Sequence, residues 1–265
     1  MLRQRYSYGT DPSQYAELFL PAERRYAGVA VVIHGGYWRS RYGAELGEPL
    51  AKDLAAHGIA AWNLEYRRSG NGGGWPQTFE DIAAGIDSLA LASGEHGLDL
   101  SRVVALGHSA GGQLAVWAAG RDKLPPGTPG APDTGYVRLT AVVSQAGLLD
   151  LREATMLNLS RGAVVNFLGE SPETFPDRYR LADPRRQLPL QIPVYVLHSE
   201  ADEDVPISQS RNYAAGSRSA AEEFPTAVPA QFVPVPGDHF ALIDVSTQAY
   251  KASRALVEKS LKALA

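Results

Sequence analysis

The sequence predicts an α/β fold, a mostly parallel central sheet with helices on both faces. Short apolar runs alternate with helical patterns along the 265 residues. Most of these runs are continuously apolar, as strands covered on both faces are. The stretches between them are long enough for crossovers between parallel strands, which are right-handed.

In chain order, "QRYSYG" and "YAELFLP" read as an N-terminal hairpin extending the sheet. "VAVVI" (29–33) is the first buried strand, and 44–57 is a helix with Gly58 as its stop. "IAAWNL" (59–64) is the next strand. In 78–93, Phe79, Ile82, Ala83, Ile86, Leu89 and Ala90 fall at helical spacing behind a Thr78-x-x-Asp81 start. "RVVALG" (102–107) is a strand running into the alanine-rich helix Ser109 to Ala119. The Pro/Gly-rich stretch 121–138 is a surface loop, and "TAVVSQ" (140–145) is a strand.

Residues 148–189 exceed a single crossover and read as a small helical cap insertion in one domain spanning 1–265. "VYVLH" (194–198) follows, then a helix opened by Pro206 and stopped by Gly216. "QFVPV" (231–235) contains Pro234, which argues that this run is near a sheet edge or irregular. The amphipathic stretch 247–264 closes the chain, with Tyr250, Ser253, Val257 and Leu261 near one face.

Composition narrows the function classes. The chain is 45% hydrophobic and 20% charged, with a net charge of −4. It has no basic block of the kind a nucleic-acid partner needs. Cysteine is absent, which excludes disulfides, thiolate catalysis and Cys-type zinc sites. No apolar stretch nears the ~20 residues of a membrane helix. The first residues, "MLRQRYSYGTDP", lack the apolar core of an export signal. The expectation is a cytoplasmic protein without nucleic-acid or membrane partners; its oligomeric state stays open.

The most specific stretch is "VVALGHSAGGQLAV". Gly107-His108-Ser109-Ala110-Gly111 is a G-x-S-x-G motif between a predicted strand and a predicted helix. A turn that tight strains the serine backbone, and small flanking residues let neighbouring chain pass close. Ser109 Oγ then projects above the sheet beside a helix N-terminus.

A serine hydroxyl is a poor nucleophile at neutral pH and needs a base oriented by a carboxylate. At such a turn the chain order is serine, acid, histidine. His239, in "VPVPGDHFAL", follows the 231–235 strand on a loop and is the base. His198 ends a strand and reads as a strand-end hydrogen-bonding residue. His57 and His96 read as surface residues, and His108 as packed beneath the turn. The acid belongs after "VYVLH", where "SEADEDVP" offers Glu200, Asp202, Glu203 and Asp204. Spacing alone does not separate Asp202 from Asp204.

The chain resembles α/β-hydrolase-fold serine esterases, in the branch of hormone-sensitive-lipase-like carboxylesterases and kynurenine formamidases (arylformamidases). The resemblance rests on "HGGYW" (34–38), "GHSAGG" (107–112), "EADEDVP" (200–206) and "GDH" (237–239), in the family's order. It implies an α/β-hydrolase fold, and it places the acid four residues before Pro206, at Asp202. It also implies an oxyanion hole formed by the His-Gly-Gly loop, here the amides of Gly36, Tyr37 and Ala110, with Gly35 less directly involved. Many such esterases carry a third glycine where Tyr37 stands; the aromatic looks more like the formamidase side.

Tyr37 and Trp38 are candidates for the substrate pocket, against the alternative of ordinary packing. His34 is expected to hold its loop by hydrogen bonds. It has no ligand-spaced partner for a metal, and no phosphate-loop pattern surrounds it. The glycine-rich lead 71–81 reads as a flexible loop near the site mouth. The combined expectation is a serine hydrolase acting on a small ester or aryl-formamide through an acyl-enzyme, with no cofactor or metal. The rival is a non-catalytic receptor or scaffold on the same fold.

Overall fold

The structure, a computed structural model, describes residues 1–262. Eight strands form one sheet: β1 (Leu2–Ser7), β2 (Tyr15–Leu20), β3 (Val29–Ile33), β4 (Ala60–Leu64), β5 (Val103–His108), β6 (Ala141–Gln145), β7 (Val194–His198) and β8 (Gln231–Pro234). Their order is β1-β2-β4-β3-β5-β6-β7-β8. Only β2 runs against its neighbours; from β4 across to β8 every pairing is parallel. The N-terminal hairpin and the edge position of β8 match the sequence expectation.

The helices are α1 (Glu48–Ala56), α2 (Gln77–Asp87), α3 (Leu89–His96), α4 (Ala110–Ala119), α5 (Leu151–Met156), α6 (Ala163–Leu168), α7 (Pro176–Ala182), α8 (Ser208–Glu223) and α9 (Gln248–Leu261). Alternation along each strand splits the core in two. Val29, Val31 and Ile33 of β3 face the layer with α2 and α4; Ala30 and Val32 face the layer with α1 and α9. The parity repeats on β5, where Val103 and Ala105 oppose Val104 and Leu106. This two-sided burial is why the strands read as continuous apolar runs.

Several boundaries differ from the sequence reading. The helix expected over 78–93 is two helices that meet at Ser88, whose Oγ donates to the Gly85 carbonyl (2.8 Å). Thr78 is not a cap: its Oγ1 donates to the Arg67 carbonyl (2.6 Å), while Asp81 takes the Arg67 guanidinium (2.7 Å). These bonds tie the first turns of α2 back to Arg67, ahead of the glycine-rich lead. The helix expected from residue 44 starts as a 3₁₀ turn, Ala44–Leu46. Helix α8 continues through Gly216 to Glu223 because buried Tyr213, Ala214 and Ser217 dock its inner face. Packing there exceeds the ~1 kcal/mol that an interior glycine costs. Residues 263–264 of the predicted last stretch lie outside the described residues.

Between β6 and β7, segment 148–189 holds α5, α6, α7 and a 3₁₀ turn, Pro184–Gln187. It is tied down by Gln113 Nε2 to the Ala182 carbonyl (2.9 Å) and by Phe167 stacked on Trp38 (4.4 Å).

The sheet's order reverses at β3: β4 lies on one side and β5 on the other. Ligands of open α/β sheets bind at such a switch point, beyond the carboxyl ends of the strands. The His34-Gly35-Gly36 loop leaves β3 there, and Ser109 leaves β5 beside it.

Candidate active site

Ser109 stands between β5 and α4 with φ 54° and ψ −120°, a region that non-glycine residues rarely occupy. Neighbouring backbone forces the turn. A Cβ on Gly107 would lie 2.2 Å from the Gly111 carbonyl oxygen, and one on Gly111 would lie 2.1 Å from that of Ile33. Glycine at both positions lets the turn and the end of β3 touch. The Ser109 amide donates to the Gln145 carbonyl (2.7 Å), and the Ser109 carbonyl accepts from Gly112 (2.9 Å). Strain at this serine is held by bonds on both sides of it.

The structure joins His239 to Asp202. His239 Nδ1 donates to Asp202 Oδ2 at 2.7 Å. The other carboxylate oxygen accepts the amides of Asp204 (2.9 Å) and Val205 (2.8 Å) from its own loop. His198 adds a contact, Nε2 to Oδ2 at 3.1 Å. The Asp202 carboxylate is fully buried. Burial alone pushes its pKa up, but bonds from His198 and His239 outweigh burial and hold the group well below the usual carboxylate range. The carboxyl group of Asp204 accepts no such bonds; it is the backbone carbonyl of that residue that takes the Tyr37 hydroxyl (2.6 Å).

His239 also sits against the serine turn. Its carbonyl accepts from His108 Nε2 (3.0 Å), and the two rings lie 4.5 Å apart. Burial first, and the nearby His239 second, push the His108 pKa down to about 3, so its ring is neutral. The acid and histidine loops are joined by Ser199 Oγ donating to the Gly237 carbonyl. Phe240, which the sequence reading did not single out, stands edge-on to His239 (5.4 Å) and is exposed.

Facing Ser109 is the turn Gly36-Tyr37-Trp38, with φ of 108°, 50° and 53°. It packs tightly: a Cβ on Gly35 would lie 3.0 Å from Ser109 Cβ. Among the described residues, the amides of Gly36, Tyr37 and Ala110 donate to no acceptor within the protein. Ala110 is fully buried, and an unpaired buried amide is rare.

Trp38 corrects the sequence reading. The turn swings it inward to full burial, stacked on Phe167, with Nε1 donating to Gln113 Oε1 (3.1 Å). It is packed in the core, the alternative that the sequence leaves open for it. Tyr37 stays half-exposed over the acid loop. His34 holds its loop as expected, Nδ1 bonding to the Gly35 carbonyl (2.9 Å). His198 does more than end a strand: beyond Asp202, its Nδ1 meets Ser210 Oγ (2.8 Å).

A family model described as BD-FAE matches residues 16–215, from β2 into α8 and across the serine turn and acid loop. The chain belongs to the BD-FAE family. Among curated proteins this BD-FAE chain is similar to esterase LipQ of Mycobacterium tuberculosis, 27% identical over 75% of the chain and 48% of LipQ. It is also similar to the probable carboxylic ester hydrolase LipM of the same organism, 28% identical over 74% of the chain and 46% of LipM. The chain thus spans about half the length of the curated relatives it matches.

Solved structures share the fold. A truncated carbohydrate esterase from gut microbiota aligns with TM-score 0.79 and 22% identity over 97% of this chain and 96% of that one. Propionate-bound esterase 2 of Thermogutta terrifontis aligns with TM-score 0.73 and 22% identity, covering 97% and 92%. Like them, the BD-FAE chain has the α/β-hydrolase fold. Among its described residues no helix is long and apolar enough to cross a membrane.

Proposed function

We propose that the protein is a serine hydrolase that cleaves small carboxylic esters through an acyl-enzyme. The observation that carries this reading is the 2.7 Å bond from His239 Nδ1 to a buried, ionised Asp202, with His239 bonded through its carbonyl to His108, the neighbour in sequence of a strained Ser109. That bond commits the proton of the neutral ring to Nδ1 and leaves Nε2 as the base. In this mechanism His239 Nε2 takes the Ser109 Oγ proton as the oxygen attacks the ester carbonyl. The C–O bond of the tetrahedral intermediate then breaks, and His239 gives its proton to the departing alkoxide. Water, activated by the same ring, hydrolyses the acyl-serine. The unpaired amides of Gly36, Tyr37 and Ala110 serve as the oxyanion hole, each such donor contributing ~3–4 kcal/mol to lowering the barrier.

LipQ and LipM, both described as ester hydrolases, support the ester as substrate. An aryl-formamide is the second reading, favoured by Tyr37 in place of a third glycine; the burial of Trp38 removes the other aromatic that argued for it. Segment 148–189, docked through Phe167, acts as the cap over the acyl pocket.

Side-by-side rates on p-nitrophenyl acetate and N-formylkynurenine test the substrate. Ester turnover is expected to dominate, with Ser109→Ala losing at least ~10³-fold in kcat. Wild-type protein that turns over neither substrate and takes no fluorophosphonate label at Ser109 would refute the reading and leave the scaffold alternative.

A further inference from the structure

Behind the His-Gly-Gly loop lies a buried cluster that the proposed chemistry does not use. Glu65 follows β4, and its side chain is 6% exposed. Oε1 accepts the Tyr66 amide (2.8 Å), pairs with Arg68 Nη1 (2.9 Å) and meets His34 Nε2 (3.3 Å). Oε2 accepts the Ala44 amide (2.8 Å). The other ring nitrogen of His34, Nδ1, meets the Gly35 carbonyl at 2.9 Å.

Both ring nitrogens of His34 therefore face oxygens that can only accept: a carbonyl and a carboxylate. A neutral imidazole has one N–H and one lone pair, so one contact would set lone pair against lone pair. The ring is fully buried, so bulk solvent does not reach either nitrogen. Protonation of both nitrogens satisfies both contacts. The other groups around the ring are compatible with a cation. Tyr66 stacks on it at 4.4 Å, its phenol raised by burial and donating to the His34 carbonyl (2.7 Å). Arg68 shares Glu65 and is tied to the Tyr42 carbonyl. His108, beyond Gly35, is neutral.

We infer that His34 is an imidazolium paired with Glu65, and that its Nδ1–H, donating to the Gly35 carbonyl, polarises the Gly35–Gly36 peptide and strengthens the Gly36 N–H as an oxyanion donor. The carbonyl and the amide belong to one peptide unit, and successive hydrogen bonds through such a unit reinforce each other. The cluster of Glu65, Arg68 and His34 carries one net positive charge behind the loop where a negative oxygen would form. Glu65 and His34 are thus positioning residues that act through Gly36. The consequence for catalysis rests on the ester-hydrolase reading; the protonation of His34 does not.

The test is ¹⁵N NMR of the histidine-labelled 265-residue protein at neutral pH, with the His34 ring assigned through its backbone. Wild type is expected to show two protonated ring nitrogens at His34, and Glu65→Gln one. The single amide oxygen of that variant can serve the Tyr66 amide or the Ala44 amide but not both, so a fall in melting point is expected whatever the role of His34. A purely structural role therefore predicts at most a lower melting point. Polarisation predicts kcat down about tenfold with KM unchanged, short of the ~10²–10³ that loss of a whole donor costs. A singly protonated His34 in wild type overturns the inference. So does an unchanged kcat in Glu65→Gln while Ser109→Ala abolishes turnover. Absence of ester turnover in wild type instead overturns the function reading, and the His34 signal still decides the pair.

Discussion

Two aspartates in this molecule have buried carboxyl groups and titrate in opposite directions. Asp202 lies in the loop after β7, and Asp183 follows α7 at the end of segment 148–189. Asp202 receives two loop amides and two imidazoles, and its carboxyl sits well below the usual range. Asp183 caps the Pro184–Gln187 turn through the Arg185 amide (3.1 Å) and has the Asp150 carboxylate as a neighbour. Burial first, and Asp150 second, push its pKa up to about 7. Burial acts on both in the same direction; the donors decide the outcome. Both carboxyls receive backbone amides, Asp183 those of Arg185 and Leu151, but Asp202 alone of the two also receives imidazoles, and these tip the balance against burial.

The widest separation between the two positions is expected in catalysis. Asp202→Asn presents an amide to His239 Nδ1, favours the wrong tautomer and lowers kcat by ~10⁴. Asp183→Asn keeps the cap to the Arg185 amide and is expected to leave kcat within about twofold. Steady-state rates on p-nitrophenyl acetate measure both. Equal losses at the two positions would end the assignment of Asp202 to His239.

A smaller effect tests how much of the Asp202 geometry comes from His198. His198→Gln removes a ring whose Nε2 meets the Val205 carbonyl (2.9 Å) and Asp202 Oδ2 (3.1 Å) and whose Nδ1 meets Ser210 Oγ (2.8 Å), but leaves His239 and the donor amides of Asp204 and Val205 in the chain. The expected loss in kcat is about 10- to 100-fold, the scale of a slight misplacement of a catalytic group. An unaltered KM would locate the effect in the chemical step.

These assignments were unequally legible in the sequence. Ser109 and His239 are marked by local patterns, a small-residue turn between strand and helix and a lone histidine after the last strand. Choosing Asp202 over Asp204 took the family resemblance, because the difference is which carboxyl folds back onto its own amides, and residue type does not encode that. Glu65 carried no signal: it meets His34 across 31 residues of chain, joined only by the adjacency of β3 and β4. Trp38 misled because an aromatic beside a glycine pair suggests a site mouth, whereas the positive φ values of the turn rotate it into the core. The strands were the most legible part, since two-sided burial leaves unbroken apolar runs. Helix ends were the least, since the Ser88 break and the passage of α8 through Gly216 are fixed by tertiary bonds and packing.

The opposite titrations also separate the aspartates in stability. With its folded-state pKa raised, Asp183 keeps a proton between about pH 4 and pH 7 that the unfolded chain has released. The folded state binds more protons there, so this group's contribution falls as pH rises through that window. Asp202 runs the other way: its contribution is present above about pH 4 and is lost as pH falls below it. Asp183→Asn is therefore expected to stabilise the protein more at pH 8 than at pH 5, by on the order of 1–3 kcal/mol. Urea unfolding at the two pH values measures it. A gain of equal size at both would mean that Asp183 carries no raised pKa.

The smallest expected effect probes redundancy around Asp202. The Tyr37 hydroxyl donates to the Asp204 carbonyl (2.6 Å) and ties the oxyanion turn to the acid loop. Tyr37→Phe removes that bond and keeps both the ring and the amide of residue 37. The loop it releases is still held by the amides of Asp204 and Val205 on Asp202 and by the Ser199 bond to Gly237. The expected cost is ~1 kcal/mol of stability, with kcat on acetate esters changed less than about tenfold. Thermal melts and the ester assay read the two numbers. A much larger fall in kcat would mean that the hydroxyl, rather than the four donors on Asp202, sets the spacing between the oxyanion turn and His239. The contrast between the two aspartates would then rest on one tyrosine.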